Sequence, residues 1–152
     1  MATQISLKNT LDDAMEMFYN GFACSESVIY ALRKNFGWDL SDDALAMSTG
    51  FPWGLGGAGC LCGAVAGATM SIGFVTGRRK RGESVADCHR CTLELANAVK
   101  AEYGHCCCGK LIEEFPDRNM PERKEKCAGI VKLCVSKAVE ILAREQDIEV
   151  VE

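Results

Sequence analysis

The sequence has no Walker loop, no Rossmann fingerprint and no nucleophile elbow, and only two histidines, His89 and His105. These absences exclude the common nucleotide-binding and triad-hydrolase chemistries. Gly54-Leu55-Gly56-Gly57 is glycine-rich but lacks the Lys-Ser/Thr ending that a phosphate loop needs. An excess of positive charge is also missing: 17 Lys and Arg stand against 21 Asp and Glu, a net charge of −4. Nucleic acid, whose phosphates want a basic surface, is therefore not an expected partner. The one basic run, Arg78-Arg79-Lys80-Arg81, sits among turn glycines and reads as a solvated loop, with docking of an acidic partner as the rival reading. Met1 to Asp13 is polar and has no charged-then-apolar signal pattern, so the expected location is cytoplasmic.

Charge is absent altogether from Ala44 to Gly77, which raises the question of a membrane helix. Pro52 and the five glycines from Gly50 to Gly59 break its first half. The second half, Leu61 to Thr76, is 16 residues rich in Gly, Ala, Ser and Thr. It is too short and too weakly apolar to span a bilayer, so no membrane insertion is expected and the segment reads as a buried central helix.

What remains is ordinary for a globular domain: 152 residues, 48% apolar and 25% charged. The expected fold is all-α, a single-domain bundle of about five to seven helices around a Gly/Ala/Cys-rich central helix. Thr10 to Asn20 reads as a first helix, with Thr10 and Asp13 as a near capping box. A second helix runs from about Ser25 to Phe36 and stops at Gly37; a third starts at Ser41 or Asp42 and ends near Gly50. A glycine-rich loop then leads into the central helix at about Leu61. A fifth helix spans Ser84 to Tyr103, with Val85, Cys88, Thr92, Leu95, Ala96, Val99 and Tyr103 inward. A short helix is expected over about Lys110 to Phe115, and Pro121 opens a last one reaching about Arg144. The core is expected over about 10–144, with the tail 145–152 frayed, and no strand of convincing alternation is seen.

The chemistry lies in ten cysteines. In a reducing cytoplasm these are not a disulfide framework, which leaves metal binding, redox catalysis or burial. Cys88-His89-Arg90-Cys91 approaches a haem attachment motif but has Thr92 where histidine must follow. As Cys-x-x-Cys on a helix it reads equally as redox pair, ligand pair or inward face. Cys24, Cys60 and Cys62, and also Cys108, stand at expected helix starts, where free N–H groups favour a thiolate. Gly63 and Gly67 leave room for another backbone or a cofactor. Cys106, Cys107 and Cys108 are consecutive in a turn, which packing alone explains poorly. Cys127 lies on the inward face of the last helix, able to point at a common centre, and Cys134 reads as core. His105 reads as a local hydrogen-bonding residue.

Gly21-x-x-Cys24, then Gly56-Gly57 leading to Cys62-Gly63-Ala64-Val65-Ala66-Gly67, then Tyr103-Gly104 with Cys108-x-x-Leu111, then Cys127-x-x-x-Val131, form one ordered pattern. The sequence from about residue 12 to 142 resembles the redox-active protein family named for its C_GCAxxG_C_C motif. The resemblance implies a single redox domain over 1–152, an all-helical fold and four family cysteines at Cys24, Cys62, Cys108 and Cys127. Related domains occur beside haem domains in proteins that hold an iron–sulfur cluster, which implies a cluster here. On that reading those four cysteines are the ligands, Cys60, Cys106 and Cys107 are substitutes, and Gly57, Gly59 and Gly63 give the cluster room. The expected function is electron transfer with a redox partner protein or a small-molecule electron carrier. Two rivals stand beside it. One is a metal-free thiol–disulfide oxidoreductase in which Cys62 attacks as a low-pKa thiolate and Cys24 or Cys108 resolves. The other is a structural zinc ion on four cysteines. An uncovered apolar helix face would make a homodimer.

Overall fold

A computed structural model describes residues 2–152. Along them run β1 (Gln4–Ser6), α1 (Leu7–Tyr19), α2 (Cys24–Phe36), α3 (Asp42–Ser48), α4 (Pro52–Leu55), α5 (Gly63–Thr76), α6 (Ala86–Tyr103), α7 (Cys108–Leu111), α8 (Pro121–Glu145) and β2 (Glu149–Val151). Of the eight helices among the described residues, six are longer than a single turn. The fold is the expected helical bundle, and α5 is its centre. From Gly63 to Ala68 every residue of α5 is buried, as are Ser71 and Ile72. The helix packs against α2, α6 and α8.

Small residues set that packing. A Cβ added to Gly67 would stand 2.6 Å from the carbonyl oxygen of Ser25, so only glycine lets the start of α2 lie this close to α5. α8 supplies the facing stripe, Ile130, Val131, Cys134, Val135, Ala138, Ile141 and Leu142, all buried. Each large apolar side chain removed from water in this way contributes about 1.5–3 kcal/mol. α2 ends where glycine allows it: Gly37 takes φ +68, and the N–H of Trp38 donates to the carbonyl of Arg33 at 3.0 Å. No helix among the described residues is long and apolar enough to cross a membrane.

The structure corrects several sequence expectations. α1 begins at Leu7, not Thr10, because Ser6 is its cap, accepting from the N–H of Asn9 at 3.1 Å. Asp13 instead accepts from Lys34 and Asn35 of α2, at 2.9 and 2.8 Å. α5 begins at Gly63 with Cys62 at its N-cap, and α7 begins at Cys108, two residues before the expected start at Lys110. On α6 the inward line is Cys91, Leu95 and Val99, while Cys88 and Thr92 are only half-buried. The tail is not frayed. Glu149–Val151 pairs in parallel with Gln4–Ser6, in the register Gln4↔Glu149, Ile5↔Val150, Ser6↔Val151. Ile5 and Ile148 are buried beneath this ladder, which is too short for alternation to betray it in sequence.

Candidate functional site

The site begins with a turn of the wrong hand. Trp53, Gly54, Leu55 and Gly56 all take positive φ, between 62° and 70°. For tryptophan and leucine that conformation costs about 1–2 kcal/mol each. Local hydrogen bonds hold it: Leu55 N–H to Phe51 at 2.9 Å, Gly56 N–H to Pro52 at 3.0 Å, and Cys60 N–H to Gly54 at 2.9 Å. Gly54 is obligatory, since a Cβ there would collide with the backbone of Cys60. The turn delivers residues 59–62 to a second irregular segment, 106–109. Leu61 and Cys107 form an antiparallel bridge. Cys62 N–H donates to Cys106 at 2.8 Å, Cys108 N–H to Cys60 at 2.6 Å, and Gly109 N–H to Gly59 at 3.0 Å. This pairing brings together the starts of α5 and α7, and with them Cys62 and Cys108.

Cys24 arrives from α2 as its first residue, and Cys127 from the second turn of α8. A Cβ on Gly63 would land on the Cys24 sulfur, so glycine at that position makes room for a thiol. All four cysteines line one cavity of about 240 Å³. Phe18, Phe22, Trp53, Arg123 and Lys124 complete much of its wall, and no carboxylate lines it.

Residues 22–141 match the family described as "Putative redox-active protein (C_GCAxxG_C_C)". The chain belongs to this family. No curated protein and no solved structure matched it. The four cysteines that the resemblance implies all line this cavity, three of them at the starts of α2, α5 and α7 and one within α8. The remaining six stand elsewhere. Cys60 and Cys107 are exposed, and Cys106 turns toward the carbonyl of Ala96 at 3.8 Å. Cys91 and Cys134 are in the core and Cys88 is half-buried. Of the three glycines expected to give a cofactor room, Gly63 lines the cavity. Gly57 lies toward Arg118, and Gly59 packs on Gly109 across the 59–62/106–109 pairing. Both histidines are exposed, as is the whole basic run Arg78 to Arg81.

The electrostatics contradict the expectation of ready thiolates. Cys62 faces the N–H groups of Ala64 and Val65, which lower its pKa without closing a cap hydrogen bond. Burial outweighs them and pushes the thiol up to about 11. Cys24 is pushed up to about 12, by burial first and then by the nearness of Cys62. Cys108 is also raised, by burial and by Cys127, against the opposing pull of Arg118 and Arg123. A helix start is worth about 0.3–1 kcal/mol to a charge at its end, less than complete desolvation costs. Cys24 and Cys62 are therefore protonated thiols near neutral pH.

Among the described residues no three His, Cys, Asp or Glu side chains converge closely enough to hold one metal ion. A zinc ion bonded at about 2.3 Å to four sulfurs would need them within about 3.8 Å of one another. The sequence reading missed the cations at this site. Arg123 and Lys124 precede Cys127 by four and three residues on α8, a spacing that places them on its face. That signal was available.

Proposed function

We propose that Cys24, Cys62, Cys108 and Cys127 ligate an iron–sulfur cluster and that the protein transfers electrons through it. One observation carries this reading: four thiols, at the starts of α2, α5 and α7 and within α8, line a single cavity. The donor set suits the group, since iron–sulfur clusters are held by four cysteine thiolates. A cluster takes its thiolates on different irons, so it asks for wider spacing than one zinc ion does. The cations at the rim and the lack of carboxylates suit a site of net negative charge. When bound, the cluster supplies reversible one-electron exchange. The chain's own residues do the rest. Buried Cys62 and half-buried Cys24 limit access of water, Gly63 leaves space, and Arg123 and Lys124 of the same lining oppose the charge.

The thiol pKa values favour ligands over nucleophiles. At pH 7 a thiol with pKa about 11 is ionised to the order of one part in ten thousand, a poor start for thiol–disulfide attack. A metal ion displaces the proton outright. The metal-free oxidoreductase keeps one supporting feature, the proximity of Cys24 to Cys62. A redox partner, protein or small carrier, completes the reading, which also needs a reducing compartment such as the cytoplasm.

The test is an ultraviolet–visible spectrum of protein purified without oxygen, with iron, zinc and acid-labile sulfide assayed on the same sample. Broad visible absorption that bleaches on reduction, with iron and sulfide present, is expected. Colourless protein with stoichiometric zinc would overturn the reading in favour of a structural site. Colourless, metal-free protein from cells able to load clusters would move the dithiol reading to first place.

A further inference from the structure

We propose that the mouth of the four-cysteine cavity binds a small oxyanion or carboxylate, gripped by Arg118, Arg123 and Lys124 beside Trp53. The proposal rests on the redox reading only for the use made of the anion, not for its binding.

The argument starts from charge that is left unbalanced. The chain carries more carboxylates than cations, and its helical cations largely use them: Arg33 with Asp42, Arg90 with Glu145, Lys126 with Glu114, Arg144 with Glu94. Among the described residues Arg118, Arg123 and Lys124 make no ion pair, although they stand together. The guanidinium carbons of Arg118 and Arg123 lie 4.9 and 4.6 Å from the centre of the same indole ring, that of Trp53. Two guanidiniums on one ring repel each other unless an anion joins them.

The three are also held in place. Arg123 Nε donates to the carbonyl of Arg118 at 2.7 Å, which leaves the terminal N–H groups of that guanidinium available. Lys124 Nζ donates to the carbonyl of Phe18 at 3.0 Å and sits 3.8 Å from the centre of the Phe18 ring. Burial and the charge of Arg123 lower its pKa. A bound anion would reverse the second of these effects. Trp53, the platform, is kept at φ +62 at a conformational cost.

Arg123, Lys124 and Trp53 line the same cavity as the four thiols. A guanidinium fork matches the paired oxygens of a carboxylate or an oxyanion, and charge-assisted bonds of this kind are about twice as strong as neutral ones. Arg123 and Cys108 line the same cavity, so an anion held by Arg123 would share it with that cysteine. The occupant is thus a small anion presented to the redox site.

The experiment uses the full-length protein as purified, with its iron and sulfide assayed first. Sodium sulfate and sodium acetate are titrated by calorimetry at ionic strength held constant with sodium chloride, and indole fluorescence is recorded in parallel. Saturable binding of at least one of the two is expected. Stronger binding of sulfate would mark a tetrahedral oxyanion site, and stronger binding of acetate a carboxylate site. Arg118→Gln, whose side chain makes no hydrogen bond among the described residues, should weaken binding about tenfold or more. Arg123→Gln should do the same, and Arg81→Gln in the exposed basic run should change nothing. The fluorescence response should vanish in Trp53→Phe. No saturable binding, or unchanged affinity in Arg118→Gln, would overturn the proposal and leave the trio as charge balance for the sulfurs. The metal assay decides the cluster reading separately. Metal-free protein that binds the anion through the trio keeps this inference and drops the cluster, and iron-loaded protein that binds none does the reverse.

Discussion

Cysteines leave water in two regions of this molecule, and they do so differently. Cys91 and Cys134 sit in apolar lines on α6 and α8, fully buried. Cys24, Cys62, Cys108 and Cys127 surround an open volume, with aromatic rings and cations at its edge. Burial raises the thiol pKa in both regions. What separates them is the space in front of the sulfur. Cys134 is raised first of all by its burial, and it does not line the cavity. A thiol that fills a gap packs; a thiol that faces one can bind.

That contrast can be broken by experiment. The largest effect is expected from Cys24→Ser or Cys127→Ser, either of which should remove most of the iron from protein prepared without oxygen. Retention of full iron in both would end the four-ligand assignment. A second effect is pH dependence of the metal-free protein. Cys24 and Cys62 have folded pKa values above their ordinary value of 9.0. Below pH 9 both states keep the proton and the groups are neutral to stability. As pH rises from about 9 toward 11, the unfolded chain loses protons that the folded one retains. Stability should then fall, by on the order of a few kcal/mol in all. Denaturant midpoints across that range check this, and Cys62→Ser should flatten the decline.

Gly63→Ala should cost about 1–3 kcal/mol, the usual penalty for forcing atoms into a packed place. It should also lower iron content, because the added methyl meets the Cys24 sulfur. A loss of stability with normal iron would mean that Cys24 moves without consequence. The smallest effect belongs to Cys134→Ala: about 1–2 kcal/mol from a small cavity, seen in urea melts, with iron unchanged. Loss of iron there would erase the distinction between the two regions.

The helices were legible where single residues punctuate them. Gly37 stops α2, Pro121 opens α8, and Gly104 ends α6 in the left-handed conformation. The four cavity cysteines were legible through an ordered motif, with Gly63 beside Cys62 as its most informative neighbour. Three things were not legible. The pairing of β1 with β2 joins the two ends of the chain through three residues each, too few for a pattern. The left-handed turn at Trp53 defies residue preference, so nothing local predicts that its indole will face Arg118 and Arg123. The thiol pKa values depend on burial, a tertiary quantity, which overrode the helix-start effect that the sequence displayed.

The most direct test is iron and acid-labile sulfide per chain in the combined variant Cys60→Ser, Cys106→Ser, Cys107→Ser, purified without oxygen beside the wild-type protein. These three cysteines border the site in sequence but do not line the cavity. Iron and sulfide at the wild-type level are predicted. Their loss, with the helical fold intact by circular dichroism, would show that the ligands lie on the 59–62/106–109 pairing rather than around the cavity.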